Sequence, residues 1–263
     1  MSVFFGRYRP ARCDSEIRYG IGLRAAPAPQ RWLFCRAQWA VAMPSSFWRR
    51  NSLPAIRVLP LDLPPVSTAD EALYGLRSVL NQAGLSSAYF LGASYSGLLV
   101  QALAKTNPQC VRGLILSHTG SLDAARAPRE LRSAALARRI PGFVVRGAIR
   151  LLVSLVLRRH GAAAEFWRDV YQQALDEVSP AYMASRYLLA SQLDRTGGAP
   201  YAGPVLVIHS DHDAITPDAQ RQKLLRDYPQ AQFNKFVGTG HSSYSLQPLE
   251  YAAAIRRFVE IGA

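Results

Sequence analysis

Cysteine is scarce in this 263-residue chain. Cys13, Cys35 and Cys110 are odd in number and lack paired spacing, which argues against a disulfide framework or a cysteine zinc site and for a reducing compartment. A cytoplasmic location is expected on that basis. Lysine is scarce too, so arginine supplies nearly all of the +13 net charge. Long hydrophobic runs are missing. The N-terminal MSVFFGRYRPARCD has too short an apolar run for a secretory signal. The longest apolar stretch, FVVRGAIRLLVSLVL (143–157), is too short to span a bilayer and carries Arg146 and Arg150 one helical turn apart. It fits equally a helix lying on a membrane surface and one covering a binding pocket; membrane contact is the lesser expectation. There are no internal repeats, low-complexity tracts or flexible linkers, and no glycine occurs between Gly22 and Gly75.

What is present is a composition typical of a globular protein, 49% hydrophobic and 19% charged. The length suits one α/β domain with an insertion, or two small domains. The positive charge is clustered. Residues 1–60 hold ten arginines against Asp14 and Glu16, and residues 121–160 hold nine against Asp123 and Glu130. Such clusters suit nucleic acid, an anionic membrane or an acidic substrate. No nucleic-acid-binding motif accompanies them, so no nucleic-acid partner is expected.

From residue 55 strands and helices alternate. Ile56–Asp62 has the pattern of a strand. A helix follows from Thr68, which forms a possible capping box with Glu71; Ala72, Leu73, Leu76, Val79 and Leu80 give its apolar face and Gly84 its stop. Strands are expected at Ser87–Leu91, Val111–Ser117, Pro204–Ile208 and Phe233–Val237. Helices are expected at Gly97–Lys105, at Gln220–Leu225, and near the C-terminus with Tyr251, Ile255, Phe258 and Val259. This alternation predicts a mostly parallel central sheet flanked by helices. Residues 121–197 are helical throughout, an inserted cap or lid between core segments 1–120 and 198–263, at the strand ends where open parallel sheets bind ligands.

The segment YFLGASYSGLLVQ, residues 89–101, carries chemistry. A strand that turns into a helix over so few residues crowds its backbone. Small residues on either side relieve the crowding, and Ser94 is left exposed and strained at the apex. A serine nucleophile needs a general base, and the base needs an acid to fix its tautomer. One later strand runs into HSDHDAITP (209–217) and the last ends in GTGH (238–241), both at the sheet edge that carries Ser94. The order Ser, Asp, His suits this geometry.

These segments, with SSYSLQPLEYAAAIRRFV after GTGH, resemble the α/β-hydrolase family over about four-fifths of the chain. The resemblance implies an α/β-hydrolase fold with a helical lid, and Ser94 as nucleophile, His241 as general base and Asp213 as orienting acid. Asp213 is preferred to Asp211 as the second acid of the D-x-D pair, with Asp211 shaping the turn. Of the remaining histidines, His118, His160, His209 and His212 are expected at the surface or in packing roles. Ser96 serves as a small residue of the turn, and Tyr95 supplies a backbone N–H to an oxyanion hole. The family's glycine-containing oxyanion loop has no match here. The equivalent strand, Arg31–Cys35, is followed by Arg36, Ala37 and Gln38, and a backbone N–H of one of these is the candidate second donor.

The function implied is a serine hydrolase cleaving an ester, thioester or related acyl bond of a small, partly apolar substrate, without cofactor or metal. Phe143, Leu151, Leu152, Leu155, Phe166, Trp167 and Tyr182 suggest a hydrophobic substrate moiety, although most are expected to pack against the sheet. Two alternatives stand beside it. One is an interaction protein on a hydrolase scaffold, similar in general layout to the maspardin branch; the other is a C–C hydrolase or lyase using the same triad.

Overall fold

The computed structural model describes residues 31–36, 56–61, 66–161 and 164–261. Among these, six strands form one sheet in the order β2-β1-β3-β4-β5-β6, every neighbouring pair parallel. The strands are β1 Arg31–Arg36, β2 Ile56–Pro60, β3 Ala88–Ala93, β4 Val111–Ser117, β5 Val205–Ser210 and β6 Gln232–Phe236. Crossover helices α1 Ala69–Gln82, α2 Tyr95–Thr106 and α7 Asp218–Asp227 join β2 to β3, β3 to β4 and β5 to β6, and α8 Ser243–Leu246 and α9 Pro248–Ile261 follow β6. Between β4 and β5 the described residues form a 3-10 turn, Ala124–Arg126, and four α-helices, α3 Ala127–Arg139, α4 Gly142–Leu157, α5 Ala164–Glu177 and α6 Pro180–Leu193.

The inner strands β3, β4 and β5 are mostly apolar because both of their faces are covered. Leu114 and Leu116 of β4, with Val205 and Val207 of β5, face a core built on α1, α2 and α6. Their neighbours Ile115, Leu206 and Ile208 face the opposite core, where Tyr251, Ile255, Phe258 and Val259 of α9 pack. Truncating one of these leucines to alanine costs about 2–5 kcal/mol.

Local signals set the ends of α1. Thr68 Oγ1 accepts from the Glu71 amide at 3.3 Å, and Gly84 ends the helix in the left-handed region at φ +67. Strand β3 runs to Ala93, two residues beyond the expected Leu91, and α2 starts at Tyr95, two before the expected Gly97. The turn between them is therefore a single residue, Ser94. No single helix among the described residues is long and apolar enough to cross a membrane.

Several apolar residues between 121 and 197 lie differently from the expectation that most pack inward. Phe143, Leu151, Leu152, Leu155 and Phe166 are exposed. Trp167 is buried, against the rings of His160, Tyr171 and Tyr244. Tyr182 lines a cavity beside Ser94.

Candidate active site

Ser94 sits at φ +54 and ψ −123, a conformation that a non-glycine residue adopts only under strain. The surrounding residues enforce it. The Ser94 amide donates to the Ser117 carbonyl at 2.8 Å, tying the turn to the end of β4. Ser96 locks the other side: its hydroxyl accepts from the Ala93 amide at 2.9 Å and donates to the Ala93 carbonyl at 2.8 Å. A Cβ at Gly92 would lie 2.6 Å from both the Ser96 carbonyl oxygen and Val100 Cγ2, and one at Gly97 would collide with Thr119. The crowding expected around Ser94 thus falls on Gly92 and Gly97. Ser94 makes no capping bond to α2 and lines a cavity of about 200 Å³.

Asp213 and His241 meet directly. His241 Nδ1 lies 2.9 Å from Asp213 Oδ2 and 3.0 Å from Oδ1. A carboxylate only accepts, so Nδ1 carries the hydrogen and Nε2 is the nitrogen able to accept. Asp213 is buried and also accepts from the Ile215 and Thr216 amides at 3.0 and 2.9 Å. Burial alone would raise its pKa; hydrogen bonds from His118 and His241 outweigh that and hold it below the usual carboxylate range. Asp211 stands apart from His241. Its Oδ1 accepts from the Gly238 amide at 2.6 Å and so shapes the loop that leads to His241. Among the described residues, no hydrogen bond joins Ser94 to His241.

His118 departs from the expected surface or packing role. It is buried at the end of β4, at φ +48, with Nδ1 3.2 Å from Asp213 Oδ2 and Nε2 2.8 Å from Ser243 Oγ. Burial lowers its pKa to about 4, against the opposing pull of Asp213, so the ring is neutral near pH 7 and donates from Nδ1. From Ser243 a buried chain of hydroxyls continues through Thr239, at 2.6 Å, to Ser210, at 2.8 Å. This network joins the ends of β4 and β5 to the loop carrying His241. His209 is buried too, its Nε2 4.0 Å from Asp213 Oδ2. His160 is buried and bonded to the Val156 carbonyl at 3.0 Å, whereas His212 is exposed. The only hint of the His118 role in the sequence is its place directly after a strand, at the ligand-binding edge.

Donor atoms of His118, Asp213 and His241 lie within 4.8 Å of one another, a spacing compatible with a metal ion. Both imidazoles already donate to the carboxylate, however, so the cluster is complete as a hydrogen-bonded array. The cavity beside Ser94 is walled by Arg126 just before α3, by α3 (Arg129, Glu130), by α6 (Tyr182, Met183, Arg186, Tyr187, Ala190) and by Leu98, Ile215 and Thr216. Arg126 is held by Asp194 at 2.9 Å, and the Arg186 guanidinium lies 4.3 Å from the centre of the Tyr182 ring. Burial raises the Glu130 carboxyl, with Arg126 and Arg129 opposing.

Arg36 ends β1 in register with Gly92, two residues before Ser94. Its backbone therefore reaches the same sheet edge. The other candidate oxyanion residues, Ala37 and Gln38, lie outside the described residues. Tyr95 opens α2, directly after Ser94.

A family model for the alpha/beta hydrolase fold matches residues 66–248. The chain is 24% identical over 202 residues to the sn-1-specific diacylglycerol lipase ABHD11 of Mus musculus, a match that covers 70% of this chain and 62% of that protein. It thus spans less than two thirds of that relative's length. Among solved structures it is similar to a hydrolase from Pseudomonas aeruginosa PA01, with TM-score 0.69, 18% identity, and 91% of this chain and 92% of that one covered. It is also similar to a thermophilic esterase from Thermogutta terrifontis, with TM-score 0.62, 21% identity and coverage of 89% and 90%. An enol-lactonase from Burkholderia xenovorans LB400 gives TM-score 0.64, 19% identity and coverage of 89% and 92%. At these identities the likeness is one of fold.

Proposed function

The chain belongs to the α/β-hydrolase fold family, and from that premise we propose that it is a serine hydrolase cleaving an ester, thioester or related acyl bond through an acyl-enzyme. The observation that carries this reading is the strained Ser94, its hydroxyl uncommitted to helix capping, on the sheet edge that also holds the Asp213–His241 pair. Ser94 Oγ attacks the acyl carbon as its proton passes to His241 Nε2. The imidazolium that forms is stabilised by Asp213, and the carbonyl oxygen takes up negative charge. That oxyanion is met by the Tyr95 amide at the head of α2 and by a second amide at or just after Arg36. Collapse expels the alcohol or thiol, which takes the proton from His241, and water then releases the acid by the same steps. These steps need no metal or organic cofactor. Apo sites of this type often leave the serine–histidine contact open until substrate arrives.

Helices α3 to α6 act in this reading as a lid, since α3 and α6 wall the cavity beside Ser94. Leu98, Met183, Ala190 and Ile215 receive an apolar part of a small substrate, and the arginines favour a polar or anionic part. The curated relative named a diacylglycerol lipase is in keeping with this choice. The test is turnover of short-chain p-nitrophenyl esters and thioesters by the wild type and by Ser94→Ala and His241→Ala. Hydrolysis lost in both variants supports the reading; hydrolysis that survives Ser94→Ala overturns it.

A further inference from the structure

Helix α4 is apolar on both faces: Val145, Ile149, Val153 and Val156 are half-buried, and the other apolar side is presented to solvent. Phe143 is 72% exposed, Val144 46%, Leu151 64%, Leu152 52% and Leu155 48%, while Leu157 is its buried residue. Exposed Gly147 and Ala148 fill the spacing between them. These positions recur at i, i+1, i+4, i+5, i+8, i+9 and i+12, one continuous stripe along about three turns. A surface helix ordinarily turns such a stripe inward. Charge accompanies it: residues 131–161 contain seven arginines and no acidic residue. Arg138, Arg139, Arg150 and Arg158 are exposed at the ends and flank of the stripe.

We propose that α4 docks this protein on an anionic lipid surface, its apolar stripe entering the acyl-chain boundary and its arginines meeting the headgroups. Charge selects this occupant. The chain's own first 60 residues hold ten arginines against two acids, so covering α4 with them would set cation against cation. A second copy seated face to face would do the same. A stripe on one helix is also a ridge, around which fluid lipid moulds itself, whereas a protein partner would need a matching groove. The docked helix would adjoin the candidate site, since Arg159, two residues past α4, donates to the Gly238 carbonyl in the loop leading to His241. The proposal does not depend on Ser94 being a nucleophile.

The test is co-sedimentation of the full chain with vesicles of phosphatidylcholine alone, or with about one third phosphatidylglycerol, comparing the wild type with Leu151→Ser/Leu152→Ser. That variant keeps every charge and alters only exposed side chains, and circular dichroism checks its fold. Wild type should partition at least about tenfold better onto the anionic vesicles, and the folded variant should lose most of that gain. No preference for anionic vesicles, or equal binding by the folded variant, would overturn the proposal. So would light scattering that shows a wild-type dimer abolished in the variant, with no vesicle binding by either.

Discussion

His118 Nδ1 lies 3.2 Å from Asp213 Oδ2, the carboxylate oxygen that His241 Nδ1 approaches at 2.9 Å. One buried acid therefore orients two imidazoles, one facing the candidate site and one facing inward to Ser243. In the reading of Ser94 as nucleophile, His118 is a positioning residue that acts through Asp213.

Removing that ring should be costly. His118→Ala leaves Asp213 and Ser243 each short of a buried partner, a loss of about 1–3 kcal/mol per unsatisfied group. His118→Gln, which can still donate to Asp213, should recover part of it. Urea unfolding gives the stability and ester turnover the activity; kcat is expected to fall more than KM rises. An alanine variant as stable and active as the wild type would contradict the assignment.

The same residue sets an acid sensitivity. His118 has an ordinary pKa of 6.5 and about 4 in the folded chain, so between those values the unfolded state binds the extra proton. Stability is retained above pH 6.5 and lost as pH falls toward 4, by roughly 3 kcal/mol. Asp213, held below the carboxylate range, adds a further loss as pH drops below its ordinary value. The urea midpoint of the wild type should fall across pH 6.5 to 4, and the fall should be shallower in His118→Gln. Parallel curves would show that His118 is not the titrating group.

Asp213 and Asp211 separate cleanly by substitution. Asp213→Asn should lower kcat by a factor on the order of 10⁴ through the wrong His241 tautomer. Asp211→Asn weakens the bonds that Oδ1 accepts from the Gly238 amide and, at 3.5 Å, from the Ser210 hydroxyl, and should reduce activity by about tenfold or less. Comparable losses in the two variants would overturn the assignment of roles.

Gly92→Ala probes the crowded turn. Its Cβ would press on the Ser96 carbonyl and Val100 at 2.6 Å, and helix backbone yields little. Overpacking of about 1–3 kcal/mol is expected, with a lower thermal midpoint and a displaced Ser94. An unchanged midpoint and unchanged activity would mean that the turn is not enforced by sterics.

Much of this was legible in the sequence because local chemistry dictates it. Gly92, Ser94 and Gly97 mark a turn that needs small residues, and the apolar runs within Val111–Ser117 and Val205–Ile208, set in an alternation of strands with helices, mark buried parallel strands. The partnership of His118 was not legible, because it depends on a carboxylate 95 residues away, and a lone histidine after a strand looks the same whether it packs or positions. Nor was the outward face of α4. A period of 3.6 marks an apolar stripe without saying which side meets the core.

The most direct measurement is covalent labelling of the folded chain with a fluorophosphonate, followed by mass spectrometry of its peptides. One phosphonyl adduct is expected on Ser94, absent in Ser94→Ala and strongly slowed in His241→Ala. A folded wild type that takes no label, or that takes it on another residue, would contradict that expectation.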